Sequence, residues 1–306
     1  MSRRLADSHR SGWALSAPAI AGLLLFVALP FVIAVVLSFT NYRLNNPLPT
    51  RWVGLEHYRA LLGGDQRFVR ALINVALFAI IVVPLQTALA LMLAMALNRQ
   101  CRGIAFVRSA FFIPVVYPMA LVAVVWQLLY APGPDGAVNA LIERFSAGSW
   151  SAAPGWSVLD GRWTALPAII ALSIWQGVGF QTVILLAGLQ AVPTSLYEAA
   201  AIDGAGAWQR FRNVTLPGMW GPLSFTMILT AILALRLFDQ VRILTPDGGP
   251  GLATTTVMLE TVRSASAAGG YRIGRASAMA VIFFVLVILV GLIPSLLRQW
   301  QLRRGA

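Results

Sequence analysis

The chain has 306 residues, of which 58% are hydrophobic and only 11% charged. Soluble domains carry ~25% charged residues, so this composition is too poor in charge to clothe a water-facing surface and points to an integral membrane protein. One cysteine (Cys101), two histidines (His9 and His57) and no lysine among 23 basic residues exclude an internal disulfide, a four-cysteine zinc site, a lysine-bearing phosphate loop and Schiff-base catalysis.

A membrane helix needs about 20 predominantly apolar residues, and charge-free windows of that length predict six. The first, near 13–39, is far longer than the apolar run of a cleaved signal peptide, so it is read as a span. The second, near 71–97, carries Pro84 and Gln86. The third, near 109–130, holds Pro114, Pro118 and Gln127. The fourth, near 165–190, sets Ser173, Gln176 and Phe180 on one face at i, i+3 and i+7, with Trp175 and Gln181 beside them. The fifth, near 217–236, ends beside Arg236, Asp239 and Arg242, and the sixth lies near 276–297. Proline kinks a helix whose freed carbonyls its neighbours can satisfy, so the prolines are expected only to shape the bundle. The expected fold is an all-α membrane bundle. A single six-span domain covers 13–297, with short ends at 1–12 and 298–306.

An even number of spans puts both ends on one side. The arginines divide almost equally, eleven on that side and twelve on the other. Those near the ends and in the loop 98–108 are packed into short segments close to the spans, whereas the loops 43–70, 131–162 and 236–275 are long and hold eight of the eleven acids. Basic residues in short loops are the ones that set orientation, so both termini are expected in the cytoplasm.

The span cores lack Asp, Glu, His and Arg, which argues against a proton relay. No G-x-S-x-G elbow, intramembrane aspartate pair or H-E-x-x-H is present. The chain is therefore not expected to be an enzyme, and no cofactor or metal is expected. The net charge of +12 has no basic stripe with interleaved aromatics, so nucleic acid is not expected as a partner. Any energy must come from another polypeptide. The amides remain: each is most simply interhelical glue, worth about 1 kcal/mol. As a set with aromatic neighbours they suit a sugar, whose hydroxyls need donors and acceptors while its C–H face packs on a ring. Gln127, Trp175, Gln176, Gln181 and Asp239 are the candidate substrate path.

The loop 191–217 is the most informative. Glu198 to Asp203 is rich in helix formers, Pro193–Ser195 supplies start chemistry, and Gly204 and Gly206 break the pattern. Trp208, Phe211 and Thr215 then share a face, with Arg210 and Arg212 directed elsewhere, and Pro217 opens the next span. An alanine face with one carboxylate suits docking to another protein; an interfacial loop lying on headgroups is the plainer alternative.

The spacing favours docking. Glu198, Ala199, Ala200, Gly204, Leu216 and Pro217 resemble the EAA loop of ABC importer permeases, E-A-A-x3-G-x9-I-x-L-P, with Val214 in place of the isoleucine. Shorter stretches along nearly the whole chain resemble the carbohydrate-uptake permeases of the maltose-transporter and glycerol-3-phosphate-transporter type. They are Ala17-Pro18, Leu29-Pro30 and Ser38–Tyr42; Val53–Tyr58, with His57 for the usual asparagine; Phe111–Pro114 and Trp126; Ala187–Gln190 with Pro193; and Phe238-Asp239, Thr245–Pro250 and Thr254–Thr256.

The resemblance implies one of two homologous permease subunits bound to two ATP-binding subunits, fed by an extracytoplasmic solute-binding protein and set in the lipid bilayer. It implies that the loop is the coupling helix seated on the ATPase. Glu198, Ala199, Ala200, Asp203, Gly204, Arg210, Leu216 and Pro217 would be the coupling residues, Glu198 would pair with a basic residue of the ATPase, and Gly204 would act as a pivot. The solute is expected to be a sugar, with glycerol-3-phosphate or a glycerophosphodiester as the alternative within the class. A stand-alone channel or facilitator is the reading outside it. Arginine without lysine points to a GC-rich bacterial genome, hence a bacterial plasma membrane.

Overall fold

The computed structural model describes residues 15–45, 49–98, 103–145 and 156–304. Arg3, Arg4, His9, Arg10 and Cys101 of the expected cytoplasmic segments lie outside them. In chain order the helices are α1 (Leu15–Leu37), α2 (Glu56–Gly63), α3 (Gln66–Leu97), α4 (Ile104–Val116), α5 (Met119–Leu129), α6 (Ala137–Phe145), α7 (Ala165–Gln190), α8 (Thr194–Ile202), α9 (Ala207–Arg210), α10 (Leu216–Gly218), α11 (Trp220–Leu235), α12 (Asp239–Leu244), α13 (Val257–Ala265) and α14 (Ile273–Arg304). Among the described residues the only β pairing is an isolated bridge between Thr40 and Trp52.

Five helical stretches are long and apolar enough to cross a membrane: α1, α3, α7, the run Trp220–Leu244 and Ile273–Leu292. The third expected span is different. It is made of α4 and α5, bent by 97° at their junction, and it completes six if the pair counts as one span. The cause is local. Pro118 drives the residue before it out of the helical region, and Tyr117 is accordingly extended (φ −82°, ψ 139°). Pro118 then caps α5 from a non-helical conformation of its own (φ −56°, ψ 139°). Pro84 and Pro114, by contrast, sit inside continuous helices.

The contacts divide the chain into two units, residues 1–65 with 260–285, and residues 66–259 with 286–306. In the first, the end of α1 is tied to the segment that follows it. Ser38 Oγ lies 2.6 Å from the Tyr58 hydroxyl, and the His57 ring N–H donates to Thr40 O at 2.9 Å. Phe39 stacks on Trp52 at 5.5 Å. Gly274 packs where a Cβ would lie 2.0 Å from Thr40 O, and Asp65 pairs with Arg275.

The second unit holds two apolar cores. One gathers Phe78, Val82, Ile169, Leu172, Leu237 and Val241. The other gathers Ala90, Ala94, Leu185, Leu189, Val192, Met219 and Leu223. Small residues let the helices approach closely, as membrane packing requires. At Gly179 a Cβ would sit 2.0 Å from Phe111 O, so α4 meets α7 backbone to backbone. The segment 245–256 is tightly built: Thr254, Thr255 and Thr256 are fully buried. Asn74 Nδ2 donates to Leu252 O and Thr255 O at 2.8 and 3.0 Å. Gly248 and Gly249, at φ +89° and +70°, fold against the Thr255 and Thr254 side chains.

Candidate functional site

Two features of the second unit carry chemistry. The first is the segment around α8. None of its nine residues is buried. Ile202 is 87% exposed, and Trp208, in the next helix, 70%. The helix ends in a Schellman motif. Gly204 N–H donates to Ala201 O at 3.1 Å and Ala205 N–H to Ala200 O at 2.8 Å, with Gly204 left-handed at φ +77°, the geometry that favours glycine. Gly206 N–H then donates to Gln209 Oε1 at 2.7 Å, opening α9.

Beyond α9 the backbone widens to a π turn over Phe211–Thr215, and Leu216 N–H reaches back to Phe211 O. Pro217 has no N–H and its ring crowds the carbonyl four residues earlier, and a wider turn relieves both. The segment is anchored from this side. The Tyr197 hydroxyl lies 3.0 Å from Thr215 Oγ1, and Tyr197, Phe211 and Val214 pack against the core of Leu189, Val192 and Met219. Trp208 and Phe211 are in ring contact at 5.4 Å. Among the described residues Glu198, Asp203, Arg210 and Arg212 form no ion pair. Glu198, Ala199 and Asp203 are exposed, Ala200 and Arg210 half-buried, and Leu216 and Pro217 exposed at the start of the fifth span. The helix is therefore held firmly at its root while its own faces are open.

The second feature is a cavity of about 340 Å³ lined from α3, the α4/α5 junction, α7, α11 and α12. Its polar wall is Gln86, Ser173, Gln176, Gln181, Thr230 and Gln240, and its apolar wall includes Phe78, Val82, Val115, Met119 and Phe180; no lining side chain is charged. Gly177 makes room for the polar wall, since a Cβ there would meet Gln86 Nε2 at 2.5 Å. The bend between α4 and α5 opens onto the cavity through Val115 and Met119, and Gln176 Nε2 donates to Tyr117 O at 3.5 Å, a long contact. A carbonyl freed by a broken span is tolerated where a polar partner meets it.

Of the five residues expected along a substrate path, Gln176 and Gln181 line this cavity, together with Ser173 and Phe180 of the same face. Trp175 does not: it is 47% exposed and meets Trp126 edge-on at 5.6 Å. Gln127 is exposed on α5, and Asp239 is exposed at the first position of α12. Three polar lining residues escaped the sequence-based choice. Gln86 is an amide with the same signature as Gln176, on a different helix. Thr230 is a single hydroxyl in an apolar run. Gln240 was hidden by ending the fifth span at 236, whereas the apolar helical stretch runs on to Leu244. Among the described residues no group of His, Cys, Asp or Glu side chains converges to hold a metal.

Residues 60–304 match the family described as binding-protein-dependent transport system inner membrane component. The chain belongs to that family. It is 34% identical over 280 residues to the trehalose/maltose transport system permease protein MalF of Thermococcus litoralis, covering 90% of each chain. It is 32% identical over 301 residues to the probable ABC transporter permease protein YesP of Bacillus subtilis, covering 97% of this chain and 92% of the relative. Among solved structures it is similar to a chain of a bacterial alginate ABC transporter in complex with alginate pentasaccharide-bound periplasmic protein. The TM-score is 0.75 at 22% identity, covering 95% of both chains. That likeness bears on the fold alone, an all-α bundle of apolar helices.

Proposed function

We propose that this family member is a membrane subunit of an ATP-driven, binding-protein-dependent importer that carries a sugar across a bacterial plasma membrane. Hydrolysis takes place on a separate ATPase that docks on α8. The observation that carries this reading is the state of α8: exposed, apolar on several sides, with Glu198 in no ion pair among the described residues, yet rooted in the core through Tyr197 and Thr215. A helix rigidly rooted and laterally open transmits movement from a docked partner to the spans that it joins. Glu198 pairs with a basic residue of that partner, Gly204 is the pivot, and both termini lie in the cytoplasm. A second six-span subunit and an extracytoplasmic solute-binding protein complete the assembly. Relatives named for trehalose/maltose and for starch degradation products, together with an uncharged cavity of amides and aromatic rings, support a sugar as solute. The absence of cations from the wall disfavours glycerol-3-phosphate.

The test is a mild-detergent pull-down of the tagged chain from its host, with mass spectrometry of the bound proteins. An ATPase and a second six-span protein should follow the wild type, and Glu198→Arg should lose the ATPase while keeping the second permease. A chain that emerges without an ATPase would favour a facilitator.

A further inference from the structure

Three arginines run against the charge bias that sets orientation: Arg43, Arg51 and Arg272 lie in the loops 43–70 and 236–275, expected outside the cytoplasm. Neither α8 nor the cavity involves them. The first unit brings them together. The segment 39–44, which leaves the end of α1, runs between two others. On one side Asn41 N–H donates to Arg51 O at 3.0 Å, and Arg51 N–H returns a bond to Asn41 Oδ1 at 2.7 Å. On the other side Leu44 N–H donates to Tyr271 O at 3.1 Å and Gly274 N–H to Tyr42 O at 2.9 Å. Tyr271 is held at φ +54°, a conformation uncommon for tyrosine, by these bonds and by its own N–H on Ser266 O at 3.0 Å. The three arginines thus stand on neighbouring, firmly bonded segments although they are far apart in sequence. All three are exposed, and among the described residues none forms an ion pair. The acids of this unit do not neutralise them. Asp65 pairs with Arg275 and Glu260 with Arg263, and Glu56, exposed on α2, forms no ion pair among the described residues.

Their position decides what meets them. Arg272 directly precedes the span Ile273–Leu292, and Arg43 and Arg51 are carried by the segments bonded at the end of α1. The two spans touch through Phe31 and Phe284, with ring centroids 4.3 Å apart. Cations and aromatic residues at the end of an apolar span lie at headgroup depth, and Trp52, next to Arg51, is 68% exposed. The helix below is open as well as apolar: none of the hydrophobic window of α1 is buried. A guanidinium matches phosphate in geometry and charge. An acidic protein surface would satisfy the arginines and leave the apolar flank unmet, whereas a lipid answers both. We propose that Arg43, Arg51 and Arg272 form a binding site for the phosphate of an anionic phospholipid, whose acyl chains lie along α1 and α14. The site depends on neither the importer reading nor the side on which the termini lie, because a span end meets headgroups on both.

The test is native mass spectrometry of the full chain, purified in mild detergent with whatever copurifies and mixed with equal amounts of phosphatidylglycerol and phosphatidylcholine. The wild type should retain the anionic lipid over the zwitterionic one by about tenfold. The variant Arg43→Gln/Arg51→Gln/Arg272→Gln should bring that ratio close to one. Glutamine at Arg144, Arg162 and Arg236, which are exposed on the second unit, removes the same charge and should leave the ratio as in the wild type. Should the triple cluster variant fail to fold, the three single substitutions carry the test, each lowering the ratio about two- to threefold. A wild-type ratio near one, an equal loss in the control variant, or three single variants at the wild-type ratio would overturn the proposal. So would a cluster variant that keeps its lipid preference and loses a copurifying protein, an outcome that would make the arginines a protein-docking face.

Discussion

At Gly204 the backbone sits at φ +77° and a Cβ would meet nothing within 4 Å. Any substitution there is penalised by conformation alone, about 1–2 kcal/mol for an L side chain and more for a β-branched one. Gly204→Val should therefore leave the bundle folded and undo the Schellman end of α8. In vesicles its uptake should fall by about tenfold, the equivalent of ~1.4 kcal/mol, while ATP hydrolysis persists. Equal loss of both would mean that the glycine serves assembly and not coupling. Gly204 was legible as the end of a helix because such a stop needs a particular residue type at a particular place. Gln240 and Thr230 were not. Whether a lone hydroxyl or amide faces a cavity depends on which helices come together, and a single segment does not encode that.

The same distinction holds for whole elements. The second and fourth spans, expected near 71–97 and 165–190, emerge as Gln66–Leu97 and Ala165–Gln190, because an unbroken apolar run has only one satisfied conformation in lipid. The third breaks at Tyr117–Pro118. The signal was present in the steric demand of Pro118 on Tyr117, but Pro114 and Pro84 are close in kind and leave their helices continuous, so proline alone does not decide. How helices meet is decided by glycines whose partners are far away in sequence. Gly179→Ala would press a Cβ into the Phe111 carbonyl, which cannot turn aside, and should cost about 1–3 kcal/mol or more; it should lower the thermal midpoint of the detergent-purified chain by several degrees. Gly177→Ala presses instead on the end of the Gln86 side chain, at 2.5 Å. It should keep the stability within about 0.5 kcal/mol of wild type and alter transport through the displaced amide. Equal destabilisation by the two substitutions would show that Gln86 has no room to give.

For the molecule as a whole, the exposed apolar flanks of α1 and α3 suit a lipid or subunit environment, and the open faces of α8 suit a protein partner. The proposed orientation puts the loop 98–108 on the same side as α8. Cys101 is the only cysteine of the chain, so it reports orientation without engineering. A membrane-impermeant maleimide should label it in inside-out vesicles and leave it unlabelled in right-side-out ones; the reverse pattern would invert the topology and remove α8 from any cytoplasmic ATPase. In the proposed mechanism, movement of solute is driven from α8 by ATP hydrolysis on another subunit. The most direct measurement is sugar uptake into vesicles holding the copurified assembly, with ATP or a non-hydrolysable analogue on the α8 side. Accumulation against a gradient with ATP alone, abolished by Glu198→Arg, is the predicted result. Downhill flux that is indifferent to ATP and to Glu198 would contradict it and identify a facilitator.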